Sequence, residues 1–242
     1  MATTQSAAIA IAACALALAA CGELEKNDAD VRLVDEDDFS SDRIASGRWV
    51  VTSATPDFGG GPLVNGVPVI QGGQLAPSDT AENLIARDIS LTDETITAKF
   101  LTGTNDVGHG RVQRVVPDGY FAFDFNIGTN LCRLRYRLPN PIGEVSLQTG
   151  GVTGGVLAAQ TEYWAQIEFD GNEVTGRLYD ADPFGSPTPT PIGTRTHTLT
   201  GDAALGLGEG VFGNPGLGFF AHTDLNWRAD DFRAEGIAEP ET

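Results

Sequence analysis

Positive charge is what this chain has least of. Fifteen Lys and Arg stand against 33 Asp and Glu, a formal charge of −18 over 242 residues. That balance speaks against a nucleic-acid partner, because phosphate binding needs a basic surface. Cysteine is scarce too: the three are Cys14, Cys21 and Cys132. With the first two in the N-terminal leader region, no disulfide framework can be built. Cys132, alone in an apolar alternating stretch, reads as a small buried residue. No sustained helical period follows the N-terminus, which argues against a helical body. What the chain does have is 30 Gly, 13 Pro and 41% hydrophobic residues. That texture suits many short strands joined by turns around a sizeable core.

The N-terminus holds an uncharged run over 7–20, too short to span a bilayer comfortably and of the length of a signal h-region. It ends in "LAAC", with Ala19 and Ala20 before Cys21, and resembles a bacterial lipobox, in which the leader is cut before the cysteine and that cysteine carries the lipid. "MATTQS" departs from the pattern in lacking Lys and Arg, so a plain secretory signal or an uncleaved anchor is the alternative. The expectation is a signal peptide over 1–20, an acidic tether over 21–34, one domain over 35–237 and a tail over 238–242. The protein would then be an extracytoplasmic lipoprotein held to the membrane through Cys21. Gly22, rather than Asp, after the cysteine favours the outer membrane if the cell is Gram-negative.

Strand candidates follow one another closely: "RWVVTS", "NLIARDI", "TITAKFL", "GYFAFDFNI", "CRLRYRL", "YWAQIEF", "EVTGRLYD", "THTLTG", "GLGFFAH" and "DDFRAEG". Turn signals such as "DFGGGP", "PNP", "FDGNE" and "GNPG" separate them. Short alternating strands at this spacing predict an all-β, two-sheet antiparallel sandwich or barrel. Alternation also predicts faces. Phe121, Phe123 and Phe125 share one side of their strand, with Asp124 and Asn126 on the other. Arg133, Arg135 and Arg137 lie opposite Cys132, Leu134 and Tyr136, and Trp164, Gln166 and Glu168 lie opposite Ala165, Ile167 and Phe169.

Four pieces in order carry a family resemblance. They are "DDFSSDRIASGRW", "GYFAFDFNIGTNLCRLRYRL", "TEYWAQIEFDGNEVTGRLYD" and "GLGFFAHTDLNWRADDFRAEG". Together they resemble the concanavalin A-like jelly roll, in its LamG-like and keto-disaccharide-hydrolase-like branch. The resemblance implies a jelly-roll sandwich whose first and last strands pair, and it leaves the activity open.

Several constellations compete for function. The main candidate is a polar sheet face joining the arginine row Arg133, Arg135 and Arg137 to Asp124, Asn126, Trp164, Gln166, Glu168, Arg177 and Tyr179. An aromatic platform with flanking polar groups suits a sugar, and guanidinium forks suit carboxylate or sulfate. This predicts a glycan partner, with an acidic polysaccharide in view; the bland alternative is a face of cross-strand ion pairs.

A glycan-cleaving enzyme is the competing class, with no catalytic residue assigned. "EFDGNE" (Glu168, Asp170, Glu173) formally fits a glycanase motif, yet Asp170-Gly171-Asn172 signals a hairpin turn that would take Glu173 off the strand and away from a shared face. A polysaccharide lyase would need a placed histidine, and His109, His197 and His222 have no catalytic neighbour in sequence. Trp49 and Trp227 read as core.

No cofactor is expected. Acids in "TNDVGHG", "DADPFG" and "HTDLN" would suit calcium, but the D-x-D-x-D-G loop is absent. Finally, "VDEDDFSSD" and "RADDFRAEG" echo each other. Because alternation turns consecutive acids to opposite faces, the pair reads as two terminal strands lying side by side, with Phe39 and Phe232 pointing inward, not as a metal site.

Overall fold

The computed structural model describes residues 32–239, apart from 42–43, 45–46, 52–67, 79–81, 105–107, 117–118, 139–142, 186, 202–210 and 221–223. The leader, Cys21, most of the tether and His222 lie outside the described residues.

The described residues form fifteen strands and no helix: β1 (Arg32–Asp37), β2 (Trp49–Val51), β3 (Val69–Gln71), β4 (Gln74–Ala76), β5 (Glu82–Arg87), β6 (Leu91–Leu101), β7 (His109–Val116), β8 (Gly119–Asn126), β9 (Leu131–Leu138), β10 (Gly143–Gly151), β11 (Glu162–Asp170), β12 (Glu173–Tyr179), β13 (Gly193–Thr198), β14 (Asn214–Phe220) and β15 (Arg228–Ala238). One sheet has eight strands in the order β13-β12-β11-β6-β15-β4-β3, with β1 also paired to β15. The other has seven, in the order β10-β9-β8-β7-β14-β5-β2. The pairings are antiparallel, and the two sheets face each other as the expected sandwich.

Alternation builds the core between them. Phe121, Phe123, Phe125, Cys132 and Leu134 come from the seven-stranded sheet, Ala165, Ile167 and Phe169 from the eight-stranded one, and all are buried. Phe121 meets Phe169 edge-on with ring centroids 5.5 Å apart, and Phe100 meets Phe125 and Phe219 at 5.7 and 5.9 Å. These T-shaped contacts set the positive edge of one ring on the negative face of the next. Gly176 is required where it stands: a Cβ there would lie 2.1 Å from the Phe123 ring reaching across from the opposite sheet.

The two acidic echoes do lie side by side. β1 pairs with β15 in a register that sets Asp37 opposite Phe232 and Glu36 opposite Arg233. Phe39, Phe232, Trp49 and Trp227 are all buried, with Trp49 between Phe39, tilted to it at 5.5 Å, and Phe232, edge-on at 4.8 Å. The Asp37 carboxylate accepts from the Phe39 amide (2.9 Å) and from Trp49 Nε1 (2.8 Å), which pins the turn that follows β1. This strand starts at Arg32, inside the stretch read as tether.

Four strands were not anticipated from the sequence: the short β3 and β4, and the longer β7 and β10. β7, "HGRVQRVV", looks too polar for a central strand, yet it sits between β8 and β14. Its Arg111 and Gln113 face outward and are still buried, while Arg114 turns into the core. There Arg114 Nε donates to Glu94 Oε1 of β6 at 2.6 Å, and its guanidinium lies 3.7 Å from the Phe169 ring centroid. This pair joins one sheet to the other through the interior. β10 is masked by its three glycines and by a register shift between Ser146 and Gln148.

Candidate functional site

The tertiary structure divides the predicted polar face in two. β8 and β9 belong to the seven-stranded sheet, β11 and β12 to the eight-stranded one. Asp124, Asn126, Arg133 and Arg135 therefore point away from the core on one side of the molecule. Trp164, Gln166, Glu168, Arg177 and Tyr179 point away on the opposite side. Alternation identifies the outward side of a strand, but two sheets of a sandwich have opposite outward sides. Only the backbone of Arg137 is described; its side chain lies outside the described residues.

On the seven-stranded sheet the register sets Asp124 between Arg111 and Arg133. Asp124 Oδ1 accepts from Arg133 Nε at 2.9 Å, and Oδ2 pairs with Arg135. Arg133 Nη2 also donates to His109 Nδ1 at 2.7 Å, so that nitrogen carries no proton. Burial, reinforced by Arg133, Arg135 and Arg111 and opposed by Asp124, pushes His109 down to about 3. Burial alone would raise the Asp124 carboxyl, but Arg135 and Arg133 outweigh it and hold the carboxyl below its ordinary value. Asp124 and Gln113 are 0% exposed, Arg111 1% and Arg135 6%. The centre of this face is closed to solvent. Asn126 serves the backbone, donating to the Gly108 carbonyl (2.9 Å) and accepting from the Thr129 amide (2.7 Å). Asp124, Arg111 and Arg135 are thus a buried charge cluster, with the 25% exposed Arg133 side chain paired at its edge, so Asp124 and Arg135 are not the open ligand platform expected of them.

The opposite face is accessible at its charged positions, where the Glu168 and Arg177 side chains are 39% and 29% exposed, while Trp164 and Tyr179 are largely covered. Gln166 joins Thr97 (3.2 Å), Arg177 (3.2 Å) and Tyr179 (3.3 Å), and Arg177 pairs with Glu168 at 2.5 Å. Burial pushes the Tyr179 phenol up, and of its charged neighbours Arg177 opposes this while Glu168 adds to it. Beside this row an open pocket of about 530 Å³ is walled by Trp164 and Phe184, whose rings meet at 82° with centroids 5.9 Å apart. Its other walls are the ends of the two acidic echoes, with Glu36 and Asp38 from one and Asp231 and Arg233 from the other, together with Asp182.

Sequence alternation did not anticipate this gathering. The β15 register shifts between Asp230 and Arg233, and Asp231 takes a left-handed φ of 46°. That bulge breaks the period of two, so consecutive acids converge on one ammonium: Lys99 Nζ is 3.5 Å from Asp230 and 2.5 Å from Asp231. Among the described residues, no three His, Cys, Asp or Glu are grouped to hold a metal ion.

Phe184 was missed, since it lies in a turn signal, and Asp182 was weighed only as one of the acids that would suit calcium. The available signal was a large apolar residue placed at a turn, and Phe184 is indeed 51% exposed. The hairpin at Gly171 forms, with Glu173 opposite Asp170. Paired residues share a face, so Glu168, Asp170 and Glu173 do lie on one outer face around the hairpin, contrary to expectation. Burial pushes the Cys132 thiol up, as suits an inert core cysteine.

No protein-family model matches the chain, and no curated protein matches its sequence. Solved structures do. β-Agarase A from Zobellia galactanivorans is 10% identical with a TM-score of 0.56, covering 87% of this chain and 94% of that one. The Bacillus licheniformis β-glucanase is 10% identical with a TM-score of 0.53, covering 84% and 97%. Arcelin-5, a lectin-like defence protein from Phaseolus vulgaris, is 11% identical with a TM-score of 0.50, covering 87% and 99%. At these identities the likeness is one of fold, and the fold of this chain is the concanavalin A-like jelly roll.

Proposed function

We propose that the chain binds carbohydrate in the open pocket on the outer face of the eight-stranded sheet, without turning it over. The observation that carries this is the Trp164–Phe184 wall, two nearly perpendicular rings with carboxylates around them. A sugar ring offers apolar C–H faces to aromatics and hydroxyl donors to carboxylates, and a pocket of this size suits one or two sugar residues. Likeness in fold to a glucanase and to a lectin-like protein supports the reading. Arg135 is buried and Arg133 is already engaged by Asp124 and His109, so neither motivates an acidic ligand.

The test is calorimetric titration of the purified full chain with neutral, amino and acidic oligosaccharides. Phe184→Ala and Trp164→Ala are each expected to weaken the strongest binding at least about tenfold, or about 1.4 kcal/mol. Unchanged affinity in both variants rejects the pocket. Cleavage is the second reading, favoured by the shared face of Glu168, Asp170 and Glu173. New reducing ends in the same mixtures, lost in Glu168→Gln, would replace binding with turnover.

We also propose that a lipid on Cys21 holds the protein to the cell envelope, facing away from the cytoplasm. Its support is the "LAAC" sequence after the apolar run. Fatty-acid labelling is expected in the wild type and absent in Cys21→Ser; equal labelling of both would refute the anchor.

A further inference from the structure

We infer that the sugar taken by the Trp164–Phe184 pocket carries a free amine; this rests on the carbohydrate reading above. The sign of the charge around the cavity is the first ground. Glu36, Asp182 and Asp231 line it, with Asp230 and Glu235 adjoining. Two cations stand against these, and both are already engaged. Arg233 is paired with Glu36 at 2.8 Å and Glu235 at 3.1 Å, and Lys99 with Asp231 at 2.5 Å. Asp182 Oδ1 accepts from the Phe184 amide at 2.8 Å, and among the described residues no cation pairs with it.

The aromatic walls supply the second, independent ground. Each ring already receives a cation of the protein itself: Arg233 Cζ lies 5.1 Å from the Phe184 ring centroid and Lys99 Nζ 5.8 Å from that of Trp164. The negative faces of both rings are thus used for positive charge. Arg233 marks such a place, between an aromatic face and the Glu36 carboxylate. A ligand ammonium entering beside Asp182, next to Phe184, meets a carboxylate that no cation pairs with among the described residues, and its bond to that carboxylate is charge-assisted. A uronate or sulfate group would enter against an excess of acids, while a neutral sugar gains the stacking alone.

The experiment compares a glucosamine tetrasaccharide, its fully N-acetylated counterpart and a tetragalacturonate, titrated into the full chain at pH 6 and low salt. The amine is expected to bind at least about tenfold more tightly than the N-acetylated form, with the advantage shrinking as salt rises. A second pair of variants separates the pocket from the general acidity of the chain. Asp182→Asn with Asp231→Asn should remove most of the advantage, and Asn tolerates the left-handed backbone at 231. Asp88→Asn with Glu239→Gln, exposed acids away from the pocket, should preserve it. Equal or better binding of the N-acetylated or acidic oligosaccharide, still dependent on Phe184, overturns the amine inference and leaves the carbohydrate reading standing. An advantage lost equally in both variant pairs also overturns it. If no oligosaccharide binds, or Phe184→Ala has no effect, the underlying reading fails and the inference with it.

Discussion

Replacing Asp124 with Ala is expected to lower the unfolding free energy by about 3–5 kcal/mol, the cost of leaving buried cations uncompensated. The carboxylate is fully buried and bridges Arg133 and Arg135, with Arg111 opposite it across the β7–β8 ladder. Guanidinium does not shed its proton at accessible pH, so the variant has no cheap way to neutralise the site. An exposed pair would contribute only a fraction of this. The sign of the pH dependence follows from the lowered Asp124 pKa. Its stabilisation is present above the carboxyl's unfolded value and is lost as pH falls through the lower folded value, so it belongs to the acid limb below about pH 4. Urea denaturation of wild type and Asp124→Ala measures both effects. A loss under 1 kcal/mol at neutral pH would mean that the cluster is not held by this carboxylate.

The second large effect is a decline in stability toward alkaline pH, set by Glu94. Burial lifts this carboxyl from 4.5 to about 7, against the pull of Arg114. A raised folded pKa means that the native state holds the proton more tightly than the unfolded chain does. The associated stability is fully present below about pH 4.5 and is lost as pH rises through about 7. The rise corresponds to about 3 kcal/mol between those limits. Glu94→Gln keeps the shape of the protonated acid and cannot ionise. It is therefore expected to match the wild type near pH 5, to exceed it at pH 8 and to flatten the limb. Parallel pH profiles for the two proteins would place the titration elsewhere. The fully buried setting explains why ionisation is disfavoured even beside an arginine: among the described residues, Glu94 Oε2 has no hydrogen-bond partner.

The fold was legible because its signals are local. Alternation in "GYFAFDFNI" and "YWAQIEF" identified the core faces, the Asp-Gly-Asn turn identified the β11–β12 hairpin, and the echoed Asp-Asp-Phe segments identified neighbouring terminal strands. β7 escaped because its Arg111, Gln113 and Arg114 are buried by partners distant in sequence; Glu94, for example, comes from the opposite sheet. Within the candidate site, sequence alternation correctly grouped Trp164, Gln166, Glu168, Arg177 and Tyr179 on one face, and Asp124, Arg133 and Arg135 on another strand pair. It joined the two groups because nothing along the chain says to which sheet a strand belongs.

By itself, then, the sequence determined the sandwich, the inward and outward sides of most strands and the meeting of the acidic ends, since each depends on a period of two or on a turn of a few residues. Only the tertiary structure decided which face is open. It buried Arg135 against Asp124, paired Arg133 with the same carboxylate, and used a bulge at Asp231 to turn acids from both ends of the chain toward Trp164 and Phe184. Sheet membership, burial and a break in alternation arise from contacts between distant segments, and those contacts moved the candidate site from the arginines to an acidic aromatic pocket.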